Sequence, residues 1–157
     1  MGSKVELRED GLTITRVFDA GIERVFQAWT DPDKVSAWWG CAQTKKVTSF
    51  IDLRVGGEYR YVMEMEGGME FDAKGIISEL NIPKRFVYEV PGFEMEGMPP
   101  MPAQKIEVDF KAIGDKTEVK LTHSGIVMAQ IKGEVKKGWS AAFEKLNDRL
   151  ARSGESR

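Results

Sequence analysis

Few side chains in this 157-residue sequence have the type and placement to do chemistry, and they stand singly. The one histidine, His123, follows Val119 and Leu121 at alternate positions, which puts it on the inward face at the end of a strand. An imidazole there could carry a proton in a cyclase-like or isomerase-like reaction; the plainer reading is a hydrogen-bonded structural histidine. Ser124 cannot serve it as a nucleophile by adjacency, because neighbouring strand residues point to opposite faces. Arg16 falls on the apolar side of Leu12, Ile14 and Phe18. A cation there needs a partner: a ligand carboxylate or enolate, an internal carboxylate such as Asp72 or Glu89, or water. Cys41 lies near Lys45 and Lys46, with no pattern that marks it as a nucleophile. Asp52, Arg54, Gly56 and Gly57 form a glycine-rich strand entry. Without a following helix this is no phosphate loop, and it reads as a turn or bulge that bends a sheet. Met95, Met98 and Met101 repeat every third residue, a spacing of soft ligands that could hold Cu(I). No cysteine pair or histidine stands beside them, so neither a metal nor a cofactor is expected.

Composition narrows the classes. With 23 basic and 25 acidic residues the formal charge is −2, which argues against nucleic acid as the main partner. An apolar share of 41% and a charged share of 31% fit a folded chain of one domain over 1–157, with an ordered core of about 12–151. No apolar run approaches the length of a membrane span, and the segment from Met1 to Asp10 lacks the apolar core of a signal peptide. A single cysteine excludes an intrachain disulfide, so a reduced, cytoplasmic setting is the expectation.

The elements that must position these groups follow from periodicity. Leu12 to Phe18 alternates as a strand. Ile22, Val25, Phe26 and Trp29 then recur at helical spacing. Asp31 and Pro32 open a second short helix carrying Val35, Trp38 and Trp39, with Gly40 as its stop. From Lys45 to Ser124 the period becomes two, and strands are expected at about 45–50, 57–66, 69–80, 84–90, 104–112 and 116–123. One apolar and one polar face mark the sheet as antiparallel. A last helix, roughly 127–151, carries a stripe from Ile131 through Trp139 and Phe143 to Leu150. The expected fold is α+β: a curved seven-stranded antiparallel sheet around a long C-terminal helix, with two short helices after the first strand.

The segment from Phe18 to Pro32, Phe-Asp-Ala-Gly-Ile-Glu-Arg-Val-Phe-Gln-Ala-Trp-Thr-Asp-Pro, resembles the opening signature of the START-like, or SRPBCC, superfamily and its helix-grip fold. Trp38-Trp39-Gly40, the run from Asp52 to Gly57, the run from Leu121 to Ser124 and Gly138-Trp139 are similar to signatures of one branch. That branch is related to the C-terminal domain of the activator of the heat-shock chaperone ATPase. The likeness covers about 12–150. It departs from the pattern at Gly21, where many relatives have proline, and at the insertion from Phe93 to Pro102. No counterpart of the full-length co-chaperone's N-terminal domain is expected here. In a helix-grip meander the tips near 67–68 and 93–102 share an end, so Met63, Met65, Met69, Met95, Met98, Met101 and Met128 would gather at a pocket mouth.

The resulting expectation is a binder of a small apolar or amphipathic molecule, held in a cavity between sheet and C-terminal helix. The residues expected to line it are Arg16, Tyr59, Tyr61, Met63, Phe71 and Tyr88, continuing with Met98, Phe110, His123, Trp139 and Phe143. A cyclase or isomerase using the same polar groups remains open. So does a chaperone-associated or stress-response interaction module that uses the sheet's outer face or the Met-rich loop, with a homodimer as one form.

Overall fold

The computed structural model describes residues 3–39, 44–92, 102–126 and 129–155. Eight strands and three helices follow in the order β1 (Lys4–Arg8), β2 (Gly11–Phe18), α1 (Ile22–Thr30), α2 (Pro32–Trp38), β3 (Thr44–Ile51), β4 (Glu58–Met65), β5 (Glu70–Asn81), β6 (Arg85–Val90), β7 (Gln104–Ile113), β8 (Lys116–Ser124) and α3 (Ala129–Glu155). All strands join one antiparallel sheet in the order β1-β2-β8-β7-β6-β5-β4-β3.

The sheet therefore has eight strands where the sequence predicts seven. The added strand is β1, which pairs Lys4 with Thr15 through Arg8 with Gly11. Its residues are nearly all exposed and three of its five are charged, so it lacks the apolar run that flags a strand. Val5 alone packs on the core. The remaining strands match the expected segments to within a residue or two. Gly67 and Gly68 both take positive φ in the β4–β5 turn, a conformation that costs glycine nothing. The glycine-rich entry to β4 is a turn: Gly57 N–H donates to the Arg54 carbonyl, and Gly56 and Gly57 exchange backbone bonds with Ile77. Arg54 closes on Asp52 at 2.7 Å, so neither side chain is held out for catalysis.

The helices form for local reasons. Val25, Phe26 and Trp29 bury one side of α1, and the Thr30 hydroxyl returns a hydrogen bond to the Phe26 carbonyl. Asp31 caps α2 by accepting from Asp33 N–H at 3.0 Å, with Pro32 in the first turn. The helix stops at Trp38. Trp39, expected within it, is the extended C-cap residue and turns its ring toward the sheet. The long helix α3, at about 40 Å, crosses the inner face of the sheet. Lys132 Nζ fastens its first turns to the carbonyls of Arg8 and Glu9, both at 2.7 Å.

Between sheet and helices lies a continuous aromatic core. Trp29 is its hub, with ring centroids of Trp38, Trp39, Phe86, Phe110, Trp139 and Phe143 within 4.6–6.3 Å. Side chains as enclosed as Phe143, Phe86 and Trp29 each contribute about 1.5–3 kcal/mol or more by leaving water. Ring-on-ring packing at these distances also fixes the angle at which α3 grips the sheet.

Candidate functional site

Strand pairing sets out the inner face in rows. Tyr88 on β6 stands opposite Ile106 on β7, Ile106 opposite His123 on β8, and His123 opposite Leu12 on β2. Tyr59 and Tyr61 approach the same end from β4, and Trp139 reaches it from α3. The ring of Trp39 bridges the two groups, 4.5 Å from Tyr61 and 5.2 Å from Trp139 between centroids. Tyr61, Tyr88, His123 and Trp139 are thus brought together, with Met63 two residues beyond Tyr61 on β4.

His123 is held from both sides. Trp139 Nε1–H donates to Nδ1 at 3.0 Å, which requires that nitrogen to be unprotonated. The proton therefore sits on Nε2, which donates to Gln104 Oε1 at 2.6 Å. Burial pushes the imidazole down to about 4, so the ring is neutral near pH 7. Both nitrogens are occupied. Proton transfer to a substrate would have to break one of these bonds first.

The tyrosines differ among themselves. Tyr59 donates to the Trp29 carbonyl at 2.7 Å and stacks on Tyr88 at 4.4 Å. Tyr61 is partly exposed, yet burial pushes its hydroxyl up to about 12, with the neighbouring Tyr88 drawing it back. Burial also raises Tyr59 and Tyr88 well above the ordinary tyrosine value, so all three remain neutral donors. The Tyr88 hydroxyl is fully enclosed and makes no hydrogen bond of good geometry; it points toward the Tyr61 hydroxyl, which it affects electrostatically without closing on it. Its ring lies over Gly75, where a Cβ would come within 2.6 Å of Tyr88 Cδ2. Gly75 thus leaves the space that the tyrosine ring fills.

The other expected site residues lie elsewhere. Phe110 packs among Phe26, Trp29 and Phe86, and Phe143 between Phe18 and Trp139, both in the filled interior. Arg16 sits four residues along β2 from Leu12, roughly 13 Å from the histidine row. Its partner is Glu144 on α3, at 2.6 Å, in place of the Asp72 or Glu89 that the sequence suggests. Asp72 instead pairs with Arg60 on the outer face, and the bidentate guanidinium holds its carboxyl below the usual range. Arg16 is buried, with its Nε unpartnered. Phe71 belongs to β5, opposite Met63. Met98 lies outside the described residues, as do Met95, Met101, Met128 and Cys41. Of the described methionines, Met63 and Met65 are half-buried at the expected end and Met69 is exposed in the adjoining turn.

Two participants escaped the sequence reading. Trp39 is one, since its spacing puts it on a helix face. Gln104 had a usable signal: it shares inward parity with Ile106, Val108 and Phe110, and pairing counted back from the Gly114 turn sets it beside His123. Two clefts of about 440 and 480 Å³ open on other parts of the surface, one lined by Asp19, Glu23 and Asp115, the other between the three helices. Among the described residues no three histidine, cysteine or carboxylate side chains converge as a metal site. Nor is any helix long and apolar enough to cross a membrane.

An eight-stranded antiparallel sheet closed over one long C-terminal helix, with two short helices after β2, defines the helix-grip class. Residues 19–151 match the family described as Activator of Hsp90 ATPase homolog 1-like protein, and the chain belongs to that family. Its fold is shared by a protein from Mycobacterium smegmatis, at 23% identity and TM-score 0.75, with 96% of each chain covered. It is also shared by the AHSA1 protein from Silicibacter pomeroyi, at 18% identity and TM-score 0.73, covering 90% of this chain and 97% of that one. CalU16 from Micromonospora echinospora aligns at 23% identity and TM-score 0.66, over 98% and 88%. At these identities the likeness speaks for fold alone. No curated protein matches the sequence significantly.

Proposed function

We propose that this chain, acting as one domain, binds a small amphipathic molecule at the end of the grip where Tyr61, Met63, Tyr88, His123 and Trp139 meet. The observation that carries this reading is the Tyr88 hydroxyl, a buried donor that makes no hydrogen bond of good geometry and has the Tyr61 hydroxyl as a poorly aligned neighbour. Buried polar groups are almost always satisfied, and an orphan calls for a water or a ligand oxygen. Around it the half-buried Tyr61 and Met63 present what an apolar body would use, with the buried ring of Trp39 packed behind Tyr61. Membership of a family whose fold commonly encloses hydrophobic ligands points the same way. The Phe110–Phe143 region contributes rigidity, because its space is taken by side chains.

His123 orients this site; it does not drive a reaction. Its Nδ1 lone pair is committed to Trp139 and its Nε2 proton to Gln104, so it fixes the indole that walls the site. This arrangement supports a carrier or sensor over a cyclase.

The test is titration with prodan, a neutral naphthyl ketone whose carbonyl can accept from Tyr88. Tyr88→Phe should weaken binding by about three- to tenfold, the loss of one neutral hydrogen bond. Equal affinity in the two proteins would overturn the placement of the site. Native mass spectrometry of the chain from its own host would then identify any natural occupant.

A further inference from the structure

The groove between α1, α2 and α3 is distinct from the end of the grip and has a different chemical character. Its volume of about 480 Å³ is that of a small-molecule site. Ala28, Trp38, Leu146 and Leu150 make its apolar floor. Trp38 Nε1–H is already committed to the Ala28 carbonyl at 2.7 Å, so the indole offers the groove only its hydrocarbon surface. The rim is cationic. Arg24, Lys34 and Arg149 line it against the single carboxylate of Glu23. This surplus of positive charge stands on a chain whose formal charge is −2. Lys34 Nζ meets only the neutral amide of Gln27, at 3.1 Å, and Arg149 has no carboxylate partner among the described residues. Arg24 leans across the groove to donate to the Leu150 carbonyl, which carries its charge over the floor between α1 and α3.

We infer that this groove is a second binding site, for a small amphipathic anion: a carboxylate held by Lys34 and Arg149, with its alkyl or aryl body on Trp38, Leu146 and Leu150. Charge complementarity selects the anion. A neutral amphiphile would gain only the floor, and a cation would meet the like charges of Lys34 and Arg149. Most of the floor side chains' own surface is already covered by neighbours, with Trp38 and Leu146 at 1% and 0% exposed. The apolar contribution is therefore modest, and the head group decides which molecule binds. The site does not rest on the grip-end reading, since it shares none of its residues.

Titration of the isotope-labelled chain with decanoate, followed by amide NMR, tests this directly, with decan-1-ol as the neutral match. Decanoate should shift residues 34–38 and 146–150 and bind at least about tenfold more tightly than decanol, with affinity falling as salt is raised through the range that screens exposed charges. Lys34→Glu with Arg149→Glu should weaken decanoate binding by about tenfold and leave prodan binding unchanged. The milder Lys34→Gln with Arg149→Gln should lower it in the same direction should the reversal disturb folding. Tyr88→Phe should leave decanoate binding untouched. Shifts confined to the surroundings of Tyr61 and Trp139, equal binding of acid and alcohol, or salt-independent affinity would each overturn the inference.

Discussion

Trp139 donates its indole proton to His123 Nδ1 across 3.0 Å, and this one bond settles which tautomer the histidine adopts. Protonating Nδ1 would set two N–H groups against each other inside the core. Burial gives the same direction, with the ring titrating at about 4 against 6.5 for a free histidine. As pH falls below 6.5 the unfolded chain takes up its proton first, so the folded state loses stability until the buried ring itself titrates near 4. Above pH 6.5 the contribution is complete. The part of the urea stability that depends on His123, obtained by comparison with His123→Asn, should fall by about 2–3 kcal/mol between pH 7 and pH 4. A histidine NMR midpoint near 6.5 would contradict this.

Tyr88 and Tyr59 stack on each other yet should respond in opposite ways to losing a hydroxyl. Tyr59→Phe removes a bond to the Trp29 carbonyl and leaves that buried acceptor unpaired, at a cost of about 1–2 kcal/mol. Tyr88→Phe removes a hydroxyl whose one hydrogen-bond neighbour, the Tyr61 hydroxyl, is poorly aligned, so stability in the absence of ligand should hold or rise by up to about 1 kcal/mol. Thermal unfolding of the two variants checks the contrast. Equal destabilisation would mean that Tyr88 has an acceptor after all.

Gly75→Ala should destabilise by about 1–3 kcal/mol, because the added methyl lands on the edge of a ring already stacked against Tyr59. Pairing it with Tyr88→Ala should recover part of that loss relative to additivity, since the clash disappears with the ring. Strict additivity of the melting data would place the Tyr88 ring elsewhere.

Arg16 and Glu144 form an unequal pair, the arginine side chain 5% exposed and the glutamate 62%. Removing the acid leaves a buried cation without its counter-charge, so Glu144→Gln should cost about 1–2 kcal/mol, a figure reduced by the water around the glutamate. Arg16→Met removes the buried charge together with its unpartnered Nε and returns Glu144 to solvent. Its effect should stay within about 1 kcal/mol of neutral. A larger loss for Arg16→Met than for Glu144→Gln in urea titrations would reverse this assignment.

The helices and the inner strands were legible in the sequence because their burial is periodic. Leu12, Ile14, Arg16 and Phe18 announce β2 by alternation, and Ile106, Val108 and Phe110 announce β7 in the same way. β1 was not legible: an exposed edge strand needs no apolar face, and Lys4, Glu6 and Arg8 read as a solvated terminus. Periodicity gave Arg16 its face but not its partner, since Glu144 is 128 residues away and meets it only once α3 lies across β2. Trp39 misled for a local reason. Its neighbour Trp38 completes the helical pattern, whereas Trp39 leaves the helix at the cap and packs on Tyr61. The site at the grip end was partly legible, because parity fixes Tyr61, Tyr88 and His123, while the filled state of the interior depends on ring angles that no spacing encodes.

The strand order carries a kinetic consequence for synthesis. From β3 to β8 each strand lies beside the one before it in sequence, so hairpins can form as the chain emerges. β2 is different: on one side it has only the five-residue β1, and on the other it must wait for β8, with Phe18 opposite Thr117 and Gly11 opposite Ser124. Until about residue 124 has left the ribosome, an apolar strand carrying Leu12, Ile14 and Phe18 stays half unpaired. Closing so large a loop is entropically slow. The nascent chain therefore passes through a window in which an early apolar strand keeps an open edge, and mutations that weaken β8 should lengthen that window before they change the finished fold.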